Sequence, residues 1–141
     1  MEILTYIQKS YTQIQLVTSK VAAGFPSPAD DYLENALDLN EHLIHNPSST
    51  FFVRVSGDSM INAKITDGDL LIIDRSKHCG HNDIVIALLD GDFTVKRLIR
   101  KDGLFQLKAE NPKYPTITIE KGQDFEIWGK VMHVIYSLKK H

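Results

Sequence analysis

Two residues distant in sequence have the right types for acyl-transfer chemistry. Ser59 lies in the turn-forming tetrapeptide Gly57-Asp58-Ser59-Met60, and Lys96 lies inside the β-rich run Phe93-Thr94-Val95-Lys96-Arg97. A serine hydroxyl is a poor nucleophile until a base takes its proton, and a lysine amine can be that base only where burial makes its charged form costly. For any lysine, moving from the ordinary ~10.4 to about 7 takes roughly 4 kcal/mol of differential desolvation. Val95, Leu98 and the apolar run Ile84-Val85-Ile86-Ala87-Leu88-Leu89 are neighbours able to provide it. Backbone N–H groups at Asp58 and Ser59 are candidate donors to a developing oxyanion. Each half of this pair has an ordinary reading too. Glycine, aspartate and serine are loop vocabulary, and Lys96 stands near Arg97, Arg100 and Lys101 as a hydrated basic edge would.

The elements that must position such a pair are mostly strands. Short β-rich or alternating runs recur at Phe51 to Val55, Leu70 to Asp74, Ile84 to Leu89, Phe93 to Ile99, Leu104 to Ala109, Thr116 to Ile119 and Phe125 to Tyr136. Asp67-Gly68-Asp69, Asp90-Gly91-Asp92 and Lys101-Asp102-Gly103 separate them, the second and third as hairpin turns. The pattern predicts a mainly β, folded-over or barrel-like domain over 50–141. Ahead of it, 24–49 reads as a linker with a short acidic helix over Asp30 to Leu39, ended by Asn46-Pro47-Ser48-Ser49. Residues 1–23 read as an extended arm in which Gln13 to Leu16 alternates like a strand while Ile3, Ile7 and Ile14 suit a helical face. Ala22-Ala23-Gly24-Phe25-Pro26-Ser27-Pro28 interrupts any regular element between arm and linker.

Bulk properties narrow the function classes. At 141 residues the chain suits one modest core plus an arm, and 43% hydrophobic with 24% charged residues is ordinary for a globular protein. A net charge of −2 gives no electrostatic reason to expect strong direct binding to duplex DNA. Apolar runs too short to span a bilayer, an N-terminus without signal-peptide layout and the single Cys79 predict a cytoplasmic protein with no membrane contact. His78-Cys79-Gly80-His81, even with His42 or His45 added, lacks a paired Cys-x-x-Cys and reads as a loop, so neither metal nor cofactor is expected. Arg97, Arg100 and Lys101 read as solvated, and Trp128 and Tyr136 as core or interface anchors.

Taken in order, the motifs resemble those of the LexA and UmuD family of self-cleaving serine–lysine proteases. Phe51-Phe52-Val53-Arg54-Val55-Ser56-Gly57-Asp58-Ser59-Met60 resembles the family's nucleophile segment, and Ile65-Thr66-Asp67-Gly68-Asp69-Leu70-Leu71-Ile72-Ile73-Asp74 the strand that follows. Asn82 to Ala87 continues that likeness, and Phe93-Thr94-Val95-Lys96-Arg97-Leu98 resembles the lysine strand. Asn111-Pro112-Lys113-Tyr114-Pro115-Thr116-Ile117 and Trp128 to Ile135 resemble the closing strands. The likeness spans about 24 to 138 and implies Ser59 as nucleophile, Lys96 as general base and Ala23-Gly24 as the bond cut in the chain itself. A small Ala23 suits a narrow slot, and Gly24 tolerates the bent backbone that presents its neighbour's carbonyl.

Phe25-Pro26-Ser27-Pro28-Ala29-Asp30-Asp31 resembles the UmuD branch, and the 23 residues ahead of Gly24 are too few for a DNA-binding domain of the repressor type. Cleavage would then remove a short arm. The resemblance implies a homodimer, a Y-family translesion polymerase partner of the UmuC kind and an SOS DNA-damage role, with cleavage promoted by a RecA filament on single-stranded DNA. The stretch joining Gly24 to Ser59, about 35 residues, spans about 115 Å when extended, so cutting within one chain and cutting of a dimer partner are both physically possible. Two competing readings are a peptidase acting on other chains and a protease-dead β-rich interaction module.

Overall fold

Period-two alternation across the second half of the chain produces the expected strands in a computed structural model that describes residues 2–5, 13–17, 23–24 and 33–139. In chain order the elements are β1 (Glu2–Thr5), β2 (Gln13–Val17), β3 (Leu33–Asp38), α1 (Leu39–Leu43), β4 (Thr50–Arg54) and β5 (Leu70–Asp74). They continue with β6 (Ile84–Leu89), β7 (Asp92–Lys101), β8 (Leu104–Lys108), β9 (Ile117–Thr118) and β10 (Phe125–Ile135). The protein is mainly β, and none of its described helices is long and apolar enough to cross a membrane.

The described residues form two compact units, 2–5 with 46–139 and the described part of 7–45. The first holds an eight-stranded antiparallel sheet in the order β1-β4-β5-β10-β6-β7-β8-β9. Its long β10 pairs with β6 through Phe125 to Lys130 and with β5 through Lys130 to Ile135. Gly129, at a bulge in that strand, permits the crossing, because a Cβ there would stand 2.5 Å from Ile73 Cγ2. The two hairpin turns read from sequence are present. Asp90-Gly91 joins β6 to β7 with φ of 50° and 88°, and Asp102-Gly103 joins β7 to β8 with φ of 52° and 75°. Two successive positive φ values match the twist of the flanking strands and explain the Asp-Gly choice.

Two apolar clusters cover the sheet. Val53, Leu71, Ile73, Ile86 and Val95 pack with Val55, Met60 and Ile65, whereas Val85, Ala87, Leu98, Leu107 and Ile119 form the second. Alternation along β6 sends Ile86 to one cluster and its neighbours Val85 and Ala87 to the other. β7 is therefore covered on both sides, which is why a lysine in its middle is buried.

The second unit pairs β2 with β3, antiparallel, with Ile14 opposite Leu37. Ala23 and Gly24 are exposed in a bend within the connection between these two strands. The segment read as a helix over Asp30 to Leu39 is strand from Leu33 to Asp38, and the helix comes after it, over Leu39–Leu43. Leu33 and Leu37 are four apart, a spacing that serves either period, and pairing with β2 selects the extended one. Asp38 then caps α1, its carboxylate accepting the Asn40 N–H at 2.9 Å. The sheet-bearing unit also begins earlier than Thr50. Asn46 Nδ2 and Ser49 Oγ donate to the Asp74 carboxylate at 2.8 and 2.9 Å, tying the stretch ahead of β4 to the end of β5. Residues 2–5, within the stretch read as an extended arm, pair with β4 as the sheet's edge strand.

Candidate active site

Ser59 follows β4 on a loop whose backbone is fixed from three sides. Val55 opens the loop, its N–H donating to Asp69 O and its carbonyl accepting from Gly68 N–H, at 2.9 and 2.8 Å. Gly57 sits at φ 91°, a conformation that disfavours any side chain, and its N–H donates to Asp67 Oδ1 at 2.8 Å. Beyond Ser59, Met60 is 2% exposed and anchors the loop in the first apolar cluster, and a 3-10 turn over Ile61–Ala63 follows. The third brace comes from the loop between β8 and β9: Asn111 Nδ2 donates to Asp58 O at 2.9 Å, Asn62 N–H donates to Glu110 O at 2.8 Å, and the Tyr114 hydroxyl donates to Asp58 Oδ1.

Lys96 lies in β7 opposite Val85 and is 9% exposed. Its Nζ is 3.1 Å from Ser59 Oγ, 2.9 Å from Thr94 Oγ1 and 3.1 Å from Val95 O. The fold thus unites the two residues singled out in the sequence, 37 positions apart. Burial pushes the Lys96 amine below the ordinary lysine value. Among the described residues no carboxylate pairs with it to oppose that shift.

The three contacts suit either protonation state. An ammonium has three N–H groups for three oxygens. A neutral amine has two N–H groups and a lone pair, and Val95 O can only accept, so Ser59 O–H can donate to the lone pair while Thr94 and Val95 hold the amine. Proton transfer from Ser59 to Lys96 leaves no buried polar group without a partner, so little reorganisation is needed.

Beside Ser59 lies a cavity of about 110 Å³ lined by Val55, Gly57, Met60, Phe93, Thr94 and Val95 among others. A space of this size, with Ser56 and Ser59 also in its lining, admits a small residue such as alanine. Its Phe93 wall is held from behind by Trp128, edge-on at 5.6 Å, which itself packs on Phe51 at 5.1 Å and under the Arg75 guanidinium at 4.4 Å.

Thr94, Asn111 and Tyr114 were not singled out as site residues from sequence. Thr94 was recoverable, since residues two apart on a strand share a face. Asn111 and Tyr114 were read as part of a closing strand, but they stand in the loop after β8, and only Ile117–Thr118 is strand. The histidine–cysteine segment serves its own loop: His81 Nδ1 accepts the Arg100 N–H at 3.0 Å, and half-buried Cys79 lies 3.8 Å from Lys77 O. Among the described residues no three His, Cys, Asp or Glu side chains gather as metal ligands would.

Residues 15–132 match the family described as Peptidase S24-like. The chain is 44% identical over 126 residues to Protein ImpA of Escherichia coli, covering 89% of this chain and 85% of that protein. It is 47% identical over 118 residues to Protein SamA of Salmonella typhimurium, covering 84% of each. To Protein MucA of Escherichia coli it is 41% identical over 129 residues, 91% of this chain and 86% of the other.

Proposed function

Because this chain belongs to the Peptidase S24-like family, we propose that it is a self-cleaving serine–lysine peptidase in which Lys96 is the general base for Ser59 and Ala23-Gly24 is the bond cut. The observation that carries this reading is a buried lysine amine 3.1 Å from a serine hydroxyl, with its charged form disfavoured by burial. The family match over residues 15–132 takes in Ala23-Gly24 as well as Ser59 and Lys96, which supports reading bond and peptidase together. Ala23 and Gly24 are exposed on the connection between β2 and β3, where a protease meets backbone free of a sheet.

In the first step Ser59 Oγ attacks the Ala23 carbonyl carbon as its proton passes to Lys96 Nζ. The tetrahedral oxyanion faces backbone N–H groups of Asp58 and Ser59. Collapse breaks the Ala23–Gly24 C–N bond, and the Lys96 ammonium returns the proton to the leaving Gly24 amine. Neutral Lys96 next takes a proton from water, whose oxygen attacks the ester carbonyl. Ser59 leaves with that proton, and Ala23 ends as a carboxylic acid that ionises.

The product is a homodimeric, UmuD-like accessory subunit of a Y-family translesion polymerase, acting in the cytoplasm during the SOS response. Identities of 41–47% to ImpA, SamA and MucA over most of each chain support this branch. A RecA filament on single-stranded DNA accelerates the cut by favouring the conformation that seats Ala23 beside Ser59, adding no nucleophile of its own. Incubation near neutral pH with preformed filaments tests the regulated reading. The expected result is filament-dependent conversion to a chain beginning Gly24-Phe25-Pro26 that co-elutes with the polymerase subunit. Equal conversion with and without filament, or a product that ignores the polymerase, would overturn it.

A further inference from the structure

Asn111 lies outside the reacting pair, yet its side chain is directed at the backbone of the nucleophile turn. It is 8% exposed, so its amide is withdrawn from water and each of its bonds matters. Nδ2 donates to the Asp58 carbonyl at 2.9 Å, and Oδ1 accepts the Lys113 N–H at 3.0 Å. Its own carbonyl accepts the Tyr114 N–H at 3.1 Å, which folds the loop back on itself and aims the amide at the turn. The Asp58 carbonyl takes a second, longer bond from Ile61 N–H at 3.3 Å.

The consequence follows from peptide geometry. Asp58 C=O and Ser59 N–H belong to one planar, trans peptide, as no cis bond is present among the described residues, so they point in opposite directions. Fixing the carbonyl toward Asn111 fixes the Ser59 N–H away from it, and among the described residues that N–H meets no acceptor. An amide left without a partner on the residue that carries the nucleophile is placed to donate to the oxyanion that forms on the Ala23 carbonyl oxygen when that residue's Oγ attacks. Of the two bonds that the Asp58 carbonyl accepts, the one from Asn111 is the shorter, 2.9 Å against 3.3 Å from Ile61 N–H.

We infer that Asn111 is a positioning residue that locks the 58–59 peptide so that the Ser59 N–H donates to the tetrahedral intermediate. This rests on the self-cleavage reading. The Tyr114 hydroxyl holds the Asp58 carboxylate rather than the peptide.

The experiment is the pH profile of self-cleavage in Asn111→Asp and Asn111→Leu, measured on the full chain. Asn111→Asp is nearly isosteric and keeps the acceptor for Lys113 N–H but loses the donor to Asp58 O. Removing an oxyanion donor outright costs about 10²–10³ in rate, and releasing its orientation costs less, so a plateau lowered by about 10- to 100-fold is expected. The midpoint is read in Asn111→Leu, which adds no charge, and there it stays at the wild-type value because Lys96 keeps all three of its partners. Asn111→Leu shows a lowered plateau as well, which keeps the test open if Asn111→Asp melts early. An Asn111→Asp plateau equal to wild type, or in Asn111→Leu a moved midpoint with an unchanged plateau, overturns the inference. A wild-type chain that never cleaves removes the reading beneath it, and the two failures are told apart by the wild-type lane alone.

Discussion

Replacing Thr94 with valine makes a prediction whose sign is contrary to simple damage. The swap changes a hydroxyl 2.9 Å from Lys96 Nζ into a methyl of similar size and leaves the contacts to Ser59 Oγ and Val95 O in place. Thr94 Oγ1 accepts an N–H from Lys96 in both protonation states, but the bond is stronger when the donor is charged. Net worth is about 1.5–3 kcal/mol for a charged donor against about 0.5–1.5 for a neutral one, so the ammonium loses about 1 kcal/mol more than the amine. At 1.36 kcal/mol per tenfold, the midpoint of the cleavage profile should fall by about one pH unit. Below that midpoint the reactive neutral fraction rises by up to about tenfold, while the plateau falls a few-fold because the amine has lost an anchor. First-order rates of fragment appearance, followed by intact mass across the neutral to alkaline range, separate the two effects. A midpoint that stays put or moves up in a folded Thr94→Val chain would refute the reasoning.

Stability offers further checks. Lys96 is held below the ordinary lysine value, so the unfolded chain binds a proton that the folded chain does not. Stability should therefore rise with pH through the window between the folded and ordinary values, and Lys96→Met should stabilise the protein at neutral pH by a margin that shrinks toward pH ~10.4, where an unfolded lysine deprotonates. Urea midpoints at neutral and alkaline pH measure this, and a margin independent of pH would count against it. Asp74 behaves oppositely. Burial pushes its carboxyl up, but hydrogen bonds from Asn46, from the Ser76 hydroxyl and N–H, and from Ser49 outweigh burial and bring it from 3.8 to about 2. That difference corresponds to about 2 kcal/mol of stability, present at neutral pH and lost as pH falls from about 4 toward 2. Asp74→Asn should cost about that much at pH 7, with the gap to wild type closing in acid, as acid titration followed by circular dichroism would report.

Much of the sheet was legible because its signals were local. β5 and β6 coincide with the runs Leu70 to Asp74 and Ile84 to Leu89, and the Asp-Gly pairs at 90 and 102 place both hairpins. The meeting of Ser59 with Lys96 is long-range, and only the ordered set of motifs suggested it; no spacing rule does. Lys96 itself was ambiguous, since a lysine among Arg97, Arg100 and Lys101 looks hydrated until β7 is known to be covered on both sides. β1 was hidden because its partner β4 lies far along the chain. At Leu33 and Leu37 periodicity was truly degenerate, but Asp38-Leu39-Asn40-Glu41 has the Asp-x-x-Glu form of a helix start, which marks the boundary the structure has. Asn111 gave no sequence signal of its role, because nothing local says which turn the loop after β8 folds against.

We propose that Lys96 and Ser59 cut the Ala23-Gly24 bond, and intact mass spectrometry of the purified protein held at alkaline pH is the sharpest check. Wild-type chains should convert to a species that begins Gly24-Phe25-Pro26, at a rate that climbs as Lys96 loses its proton, while Ser59→Ala and Lys96→Ala remain whole. Cleavage that proceeds unchanged in either variant, or a cut at another bond, would contradict it.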